Sequence, residues 1–338
     1  MDKRYLCGLN LEEITDLIRP GGYTRSQAVI VAGILYRKGE SGLIRTTRIP
    51  VMLKKFLFET ASAGIYSPVK SEKSVDGTIK YLFASPDGKK YESVYIPEEK
   101  RKTVCVSTQS GCRMGCPFCV TAGYGFHGNL SAGDIVNQVL ANPFHEKITH
   151  VVFMGMGEPM DNLDNVLKAV NILTAEWGLA ISNRNITVST VGITSQVKRF
   201  LQESECNLAL SLYSPFPGER INVIPIEKAF PVKEIISFMA DYPLRKKRRL
   251  SIAYIMIKGI NDTETHLTEL KNILVNTGIR VNLIPYHSVQ GDKGESSSDE
   301  RMQYFRHDLI MAGISASVRK SRGADISAAC GLLASGMR

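Results

Sequence analysis

An α/β protein with a parallel sheet, open or curled into a partial barrel, is the fold class this sequence predicts. Three observations carry the prediction. From residue 103 onward, short apolar strands alternate with amphipathic helical segments. The stretch before it alternates between turn dipeptides in the manner of antiparallel hairpins. The opening segment instead carries helix-capping pairs.

Asn10 with Glu13, and Thr24 with Gln27, are capping-box pairs, so helices are expected near 11–19 and 25–38. Pro50 suits the first residue of a third helix reaching about residue 62. Val75-Asp76-Gly77-Thr78 and Ser85-Pro86-Asp87-Gly88 are turn sequences, and they bound Tyr81-Leu82-Phe83 and Tyr91-Glu92-Ser93-Val94-Tyr95-Ile96; residues 66–97 therefore read as hairpins. Strands follow at 103–107, 148–154, 186–189, 207–211, 250–256 and 281–284. Helical patterns lie between and after them near 131–141, 162–175, 194–203, 231–240, 263–275 and 299–311, while 291–299 is a polar loop. The expected division is a helical segment at 1–64, a small antiparallel β segment at 65–97, a βα domain at 98–330 and a tail at 331–338.

At 338 residues the chain is long enough for one large domain and a smaller one. No run approaches the ~18 apolar residues of a membrane span, and no basic stretch leads into an apolar core at the amino terminus; a cytoplasmic protein with no membrane partner is expected. Seven cysteines, an odd number and partly clustered, suit a reducing compartment better than a disulfide scaffold. The net charge of +9 favours an anionic partner, nucleic acid being the commonest.

Cys112, Cys116 and Cys119 form a Cys-x3-Cys-x2-Cys triplet within Gly111-Cys112-Arg113-Met114-Gly115-Cys116-Pro117-Phe118-Cys119. A [4Fe–4S] cluster is usually held by four thiolates, so three leave one iron open to a non-protein ligand. That open iron can chelate S-adenosylmethionine (SAM), and this spacing is the signature of radical-SAM enzymes. A zinc knuckle completed by a distant Cys or His, and three unrelated thiols, remain open on spacing alone. In α/β folds chemistry gathers at the carboxyl ends of the strands, and the triplet follows the first parallel strand. The second ends in Met154-Gly155-Met156-Gly157-Glu158-Pro159, where the glycines admit a close-lying ligand. No third glycine follows and Pro159 interrupts the helix start, which argues against a dinucleotide fingerprint; a SAM-binding turn and a plain strand-ending turn both fit.

The chain resembles the radical-SAM RNA adenine methyltransferases of the RlmN/Cfr family from end to end. The matching segments are Glu92 to Pro97, Cys105-Val106-Ser107, the triplet, Met154 to Pro159, Thr187 to Thr190, Val318 to Gly323 and Asp325 to Gly331. The resemblance implies a partial (βα)6 radical-SAM barrel with an N-terminal helical accessory domain. It implies two SAM molecules, one [4Fe–4S] cluster and a low-potential electron donor such as flavodoxin or ferredoxin. It also implies methylation of adenosine C2 in the peptidyl-transferase centre of 23S rRNA, and in many members of the adenosine just 3′ of the tRNA anticodon.

By the same resemblance Cys112, Cys116 and Cys119 hold the cluster, and Cys330 becomes an S-methylcysteine whose methylene radical adds to C2. Glu92 removes the C2 proton, and Cys105 resolves the adduct through a transient disulfide with Cys330. SAM contacts fall on Gly157, Glu158, Ser189, Ser211, Leu212, Tyr213 and His287. Tyr213 stands where histidine is usual, His287 where asparagine is usual, and Ser327 where aspartate is frequent. Glu92 has an independent warrant: alternation puts it on one side of its strand with Val94 and Ile96, where a carboxylate has a raised pKa. An edge-strand glutamate in solvent is the plainer reading of the same pattern. For Cys105 the residues alone suggest a buried structural thiol, and Cys7 and Cys206 carry no family role.

Basic residues flank these motifs at Lys100-Arg101-Lys102, at Arg319, Lys320 and Arg322, and at Arg245-Lys246-Lys247-Arg248-Arg249, each suited to RNA phosphates or to plain solvation. Three rivals to C2 methylation remain: a C8-methylating relative, a radical-SAM enzyme with a non-RNA substrate, and a non-enzymatic zinc or RNA-binding protein.

Overall fold

The structure, a computed structural model, describes residues 3–243, 248–288 and 294–334. Arg245, Lys246 and Lys247 of the basic run, Gly291 to Lys293 of the polar loop and the last four residues of the tail lie outside the described residues.

Among the described residues ten strands form one sheet and lie side by side in chain order. They are β1 (Lys70–Lys73), β2 (Ile79–Ala84), β3 (Lys90–Pro97), β4 (Lys102–Cys105), β5 (His150–Phe153), β6 (Ile186–Thr190), β7 (Asn207–Ser211), β8 (Leu250–Met256), β9 (Arg280–Pro285) and β10 (Ala316–Val318). Strands β1 to β4 pair antiparallel, and every pairing from β4 to β10 is parallel. The crossovers carry the helices Ala132–Leu140, Leu163–Thr174, Thr194–Glu203, Val232–Asp241, Glu264–Leu274 and Asp299–Met311. This is a partial (βα)6 barrel closed off by a seventh parallel strand. That last strand, Ala-Ser-Val, has no apolar run to mark it and is defined only by pairing such as Val281 with Ala316.

The hairpins are an extension of the barrel sheet, because Val94 of β3 pairs with Cys105 of β4. Their turns follow the sequence: Gly77 and Gly88 both take φ +84°, and the Asp76 carboxylate accepts a hydrogen bond from the Thr78 amide at 2.9 Å. In the amino-terminal region the Asn10 side chain accepts from the Glu13 amide at 2.9 Å and Glu13 accepts from the Asn10 amide at 2.8 Å, a closed capping box. The helix expected to end at 38 runs from Arg25 to Arg45, interrupted at Gly39 (φ +63°, ψ −163°), where glycine lets the chain break and resume. Pro50 is the cap rather than the first helical residue, because its ψ of 144° is extended. These helices dock on the barrel through the Lys168–Glu13 ion pair at 2.7 Å and an Arg37 hydrogen bond to the Gly178 carbonyl at 3.0 Å. Among the described residues no helix is long and apolar enough to cross a membrane.

The parallel strands have two unlike faces. Val104, Val151, Phe153, Ile186, Val188, Leu208, Leu210 and Ile252 point outward into the main core and are almost wholly buried. Each contributes about 1.5–3 kcal/mol of hydrophobic stabilisation. Their neighbours Thr103, Cys105, Val152, Thr187, Asn207 and Ser251 point the other way and line the lumen. Helices cover only one face, so small and polar residues stand where substrate would enter.

Candidate active site

The chain leaves β4 and pairs Gln109–Gly111 with Phe126–Asn129, which encloses the cysteine loop. Gly111 has φ +79°, and a Cβ there would lie 1.7 Å from the Gly125 carbonyl oxygen, so the loop closes only over glycine. The Cys119 amide donates to the Cys116 carbonyl at 3.1 Å, turning the last thiol back toward the middle one. Cys116 is buried against Tyr213, Ile224, Ile257 and Tyr286, while Cys112 and Cys119 are half-buried. Burial pushes the Cys112 thiol up to about 12 and Cys116 higher, and nearby thiols add to both.

Among the described residues no three His, Cys, Asp or Glu side chains converge closely enough to hold one metal ion. A cluster in which each thiolate binds its own iron does not need that convergence, whereas a zinc knuckle does. Three sulfur donors on one short, half-buried loop, with no fourth, therefore suit a [4Fe–4S] cluster.

The turn after β5 lies beside this loop. The Met156 carbonyl accepts from the Thr108 amide at 2.8 Å, and a Cβ on Gly157 (φ +96°) would come 2.5 Å from Gln109. Glu158 is 3% exposed; its carboxylate accepts from the Met160 amide at 3.0 Å and the Val191 amide at 2.9 Å. Burial outweighs those bonds and pushes its carboxyl up to about 7. Ser189, next to last in β6, and Ser211, which ends β7, have their hydroxyls 3.4 Å apart. Leu212 is buried, and Tyr213 takes a left-handed φ of +64° and stacks on Phe118 at 5.6 Å. All seven expected SAM residues thus lie near the end of a parallel strand or shortly after it.

His287, just beyond β9, also lines a cavity of about 580 Å³ in the barrel lumen, where its ring meets the Ser321 hydroxyl at 2.7 Å. Cys105 and Cys330 line the same cavity. Cys105 is buried and its thiol pushed up to about 12, first by burial and then by the charge of Cys330; Cys330 is exposed on the terminal loop. That loop is fixed to the cysteine loop: the Val120 amide donates to the Gly331 carbonyl at 2.8 Å and the Thr121 hydroxyl to the Leu333 carbonyl at 3.0 Å.

All seven cysteines are free, so the Cys105–Cys330 disulfide expected from the sequence is not part of this state. Cys7 and Cys206 are buried core thiols.

Glu92 is 3% exposed and does not line the cavity. Its carboxylate accepts the Ala334 amide at 2.8 Å and lies 3.6 Å from the Lys80 ammonium; burial raises its pKa despite both.

Two residues here escaped the sequence reading. Arg220, wholly buried, donates to the carbonyls of Val191 at 2.6 Å, Leu212 at 3.0 Å and Ser211 at 3.1 Å and pairs with Glu227, tying the ends of β6 and β7 together. Gln109 accepts from the Glu158 amide at 2.9 Å and donates to Asp161 at 2.7 Å. Neither stands in a motif that spacing alone could single out.

The model of the Radical SAM superfamily matches residues 106–270. A Parabacteroides distasonis protein named "Probable dual-specificity RNA methyltransferase RlmN" is 44% identical over 333 residues, 98% of this chain and 97% of its own length. "Dual-specificity RNA methyltransferase RlmN" of Geobacter sulfurreducens is 38% identical over 326 residues, 96% of this chain and 91% of that protein. A radical SAM methyltransferase from Sphaerobacter thermophilus, solved by crystallography, has the same fold at a TM-score of 0.90, with 35% identity over 98% of this chain and 99% of that one. The superfamily implies a [4Fe–4S] cluster and SAM. With the cysteine loop, the glycine turn and the two lumen thiols in place, the chain is a radical-SAM RNA methyltransferase and belongs to the RlmN family.

Proposed function

We propose that this enzyme methylates C2 of a specific adenosine in the peptidyl-transferase centre of 23S rRNA and the adenosine 3′ of the tRNA anticodon. A single observation carries the reading: Cys105 and Cys330, free and facing one cavity, stand beside a lumen rimmed by Arg101, Arg184, Arg249, Arg280 and Arg319. Adenine C2 is not nucleophilic, so direct polar transfer of a methyl cation fails. A cysteine that carries the carbon, with a second thiol to release it, answers that difficulty. The arginines supply phosphate contacts for the RNA.

Cys112, Cys116 and Cys119 hold the cluster, and Gly157, Glu158, Ser189, Ser211, Leu212, Tyr213 and His287 contact SAM. When bound, these groups supply a methyl group and, with an electron from a donor such as flavodoxin or ferredoxin, a radical able to take a hydrogen atom. Cys330 receives the methyl group on sulfur, loses one hydrogen from it, and adds the resulting carbon radical to C2. The RNA is then held covalently through Cys330. Glu92 exchanges the Ala334 amide for the substrate and takes the C2 proton. The unpaired electron of the adduct leaves to the electron-donor system. Cys105 then gives up its proton and bonds to the Cys330 sulfur as the carbon–sulfur bond breaks. The freed carbon takes a proton to become the new methyl group, and an external dithiol reduces the resulting Cys105–Cys330 disulfide before the next turnover.

The test uses reconstituted enzyme, rRNA fragments and tRNA, with products mapped by nuclease digestion and mass spectrometry. Cys330→Ala is expected to give neither methylated RNA nor an adduct. Cys105→Ala and Glu92→Ala are expected to leave RNA attached through Cys330 under denaturing electrophoresis. Normal turnover by Cys105→Ala, or a product methylated at C8, overturns the reading.

A further inference from the structure

We propose that Lys80 is a positioning residue that keeps the Glu92 carboxyl ionised, and that Glu72 limits how strongly it does so. The inference rests on Glu92 being the base of the reaction. Lys80 is 6% exposed, an uncommon environment for an ammonium group unless it is paired. It sits in β2 directly opposite Glu72 of β1, while Glu92 lies diagonally across on β3, opposite Leu82. Side chains two apart on a strand share a face, so these three ionisable groups cross three strands on one side of the sheet.

Lys80 stands 3.6 Å from Glu92 and 3.2 Å from Glu72, and Glu72 is also held by exposed Lys70 at 2.6 Å. The groups acting on the Glu92 carboxyl are therefore Lys80, Glu72 behind it, Lys70 beyond that, and the Ala334 amide from the terminal segment.

Burial raises the Glu92 pKa and so favours the protonated form, which cannot take a proton. Two groups oppose that, and they differ in permanence. The Ala334 amide belongs to the segment that carries Cys330 and must give way to substrate. Lys80 belongs to the middle of a paired strand and stays. Once the amide is displaced, Lys80 is, among the described residues, the one cation left within ion-pair distance of the base. Glu72 works against it twice, by sharing the ammonium and by repelling Glu92.

Opposite effects from the two neighbours provide the test. The holoenzyme is assayed with RNA across pH, and the fraction of protein–RNA adduct resolved to product is read at each pH. Lys80→Met is expected to move the acidic limb of that profile up by at least about one pH unit, with adduct accumulating at low pH. Lys80→Arg is expected to restore the wild-type profile. Glu72→Gln, at a half-exposed site that tolerates change, is expected to move the limb the other way. Cleavage of SAM in the absence of RNA should be unchanged in all three. A Lys80→Met profile that superimposes on wild type, while Glu92→Ala still traps the adduct, overturns the inference. A Glu72→Gln shift in the same direction as Lys80→Met, or none, also overturns it, and covers the case in which Lys80→Met fails to fold. Free turnover by Glu92→Ala would instead remove the premise.

Discussion

Glu92 and Glu158 are both 3% exposed carboxylates raised by burial, one on an antiparallel strand and the other in the turn that follows a parallel strand of the same sheet, yet they are held by different means. Glu158, in the parallel half, accepts two backbone amides from adjoining loops, Met160 and Val191. Those donors cannot leave without unmaking the turn. Glu92, in the antiparallel half, has one amide from a terminal segment and one side-chain cation, Lys80. The contrast separates a fixed acceptor suited to holding a cofactor from an exchangeable one suited to meeting a substrate proton.

The largest effects should separate the two halves most sharply. Changing Cys112, Cys116 or Cys119 to Ala should abolish the brown colour of anaerobically prepared protein and all SAM cleavage, whereas Glu92→Ala should keep both. Tightly bound zinc with no iron after reconstitution would break the comparison at its root. Next, Glu158→Ala should lower SAM cleavage measured without RNA on the order of 10²-fold, because two loop amides lose their acceptor and the turn shifts. Equal losses in Glu158→Ala and Glu92→Ala would show that the halves do not divide the work.

A stability measurement sharpens the contrast further. Glu158 is raised in the folded state from 4.5 to about 7, so between those values the folded protein binds more protons than the unfolded chain. Stability of the cluster-free protein should therefore fall as pH rises from about 4.5 through about 7, by up to about 3 kcal/mol from this group. Calorimetry across that range should show the fall in wild type and its loss in Glu158→Gln. The smallest effect concerns the lumen rim. Arg249→Gln with Arg280→Gln should reduce the salt slope of RNA binding by about one per lost phosphate contact, leaving SAM cleavage intact. An unchanged slope would place the RNA phosphates elsewhere.

Much of the molecule was legible in its residues because the relevant forces are local. The capping boxes at Asn10 and Thr24, the turns at Gly77 and Gly88, and the six helices between parallel strands each follow from nearest-neighbour chemistry. In the parallel strands Val104 and Leu208 lie under the helices while Thr103, Cys105 and Asn207 line the lumen, a division that the short apolar runs did not mark beforehand. β10 was missed because three residues carry no periodicity, and Arg220 because nothing around it in the chain marks a buried arginine.

The sequence by itself determined most of the elements, the three-thiol loop and the glycine turn, since each depends on residues close together in the chain. Only the tertiary structure decided that Cys330 shares a cavity with Cys105, that the hairpins extend the barrel sheet and bring Lys80 to Glu92, and that four strand starts gather Arg101, Arg184, Arg249 and Arg280 on one lumen. Those facts depend on strand register and on the closing of long loops, where one residue of slip would turn every side chain to the other face. No local preference encodes that choice; burial of the outer apolar face against the helices does.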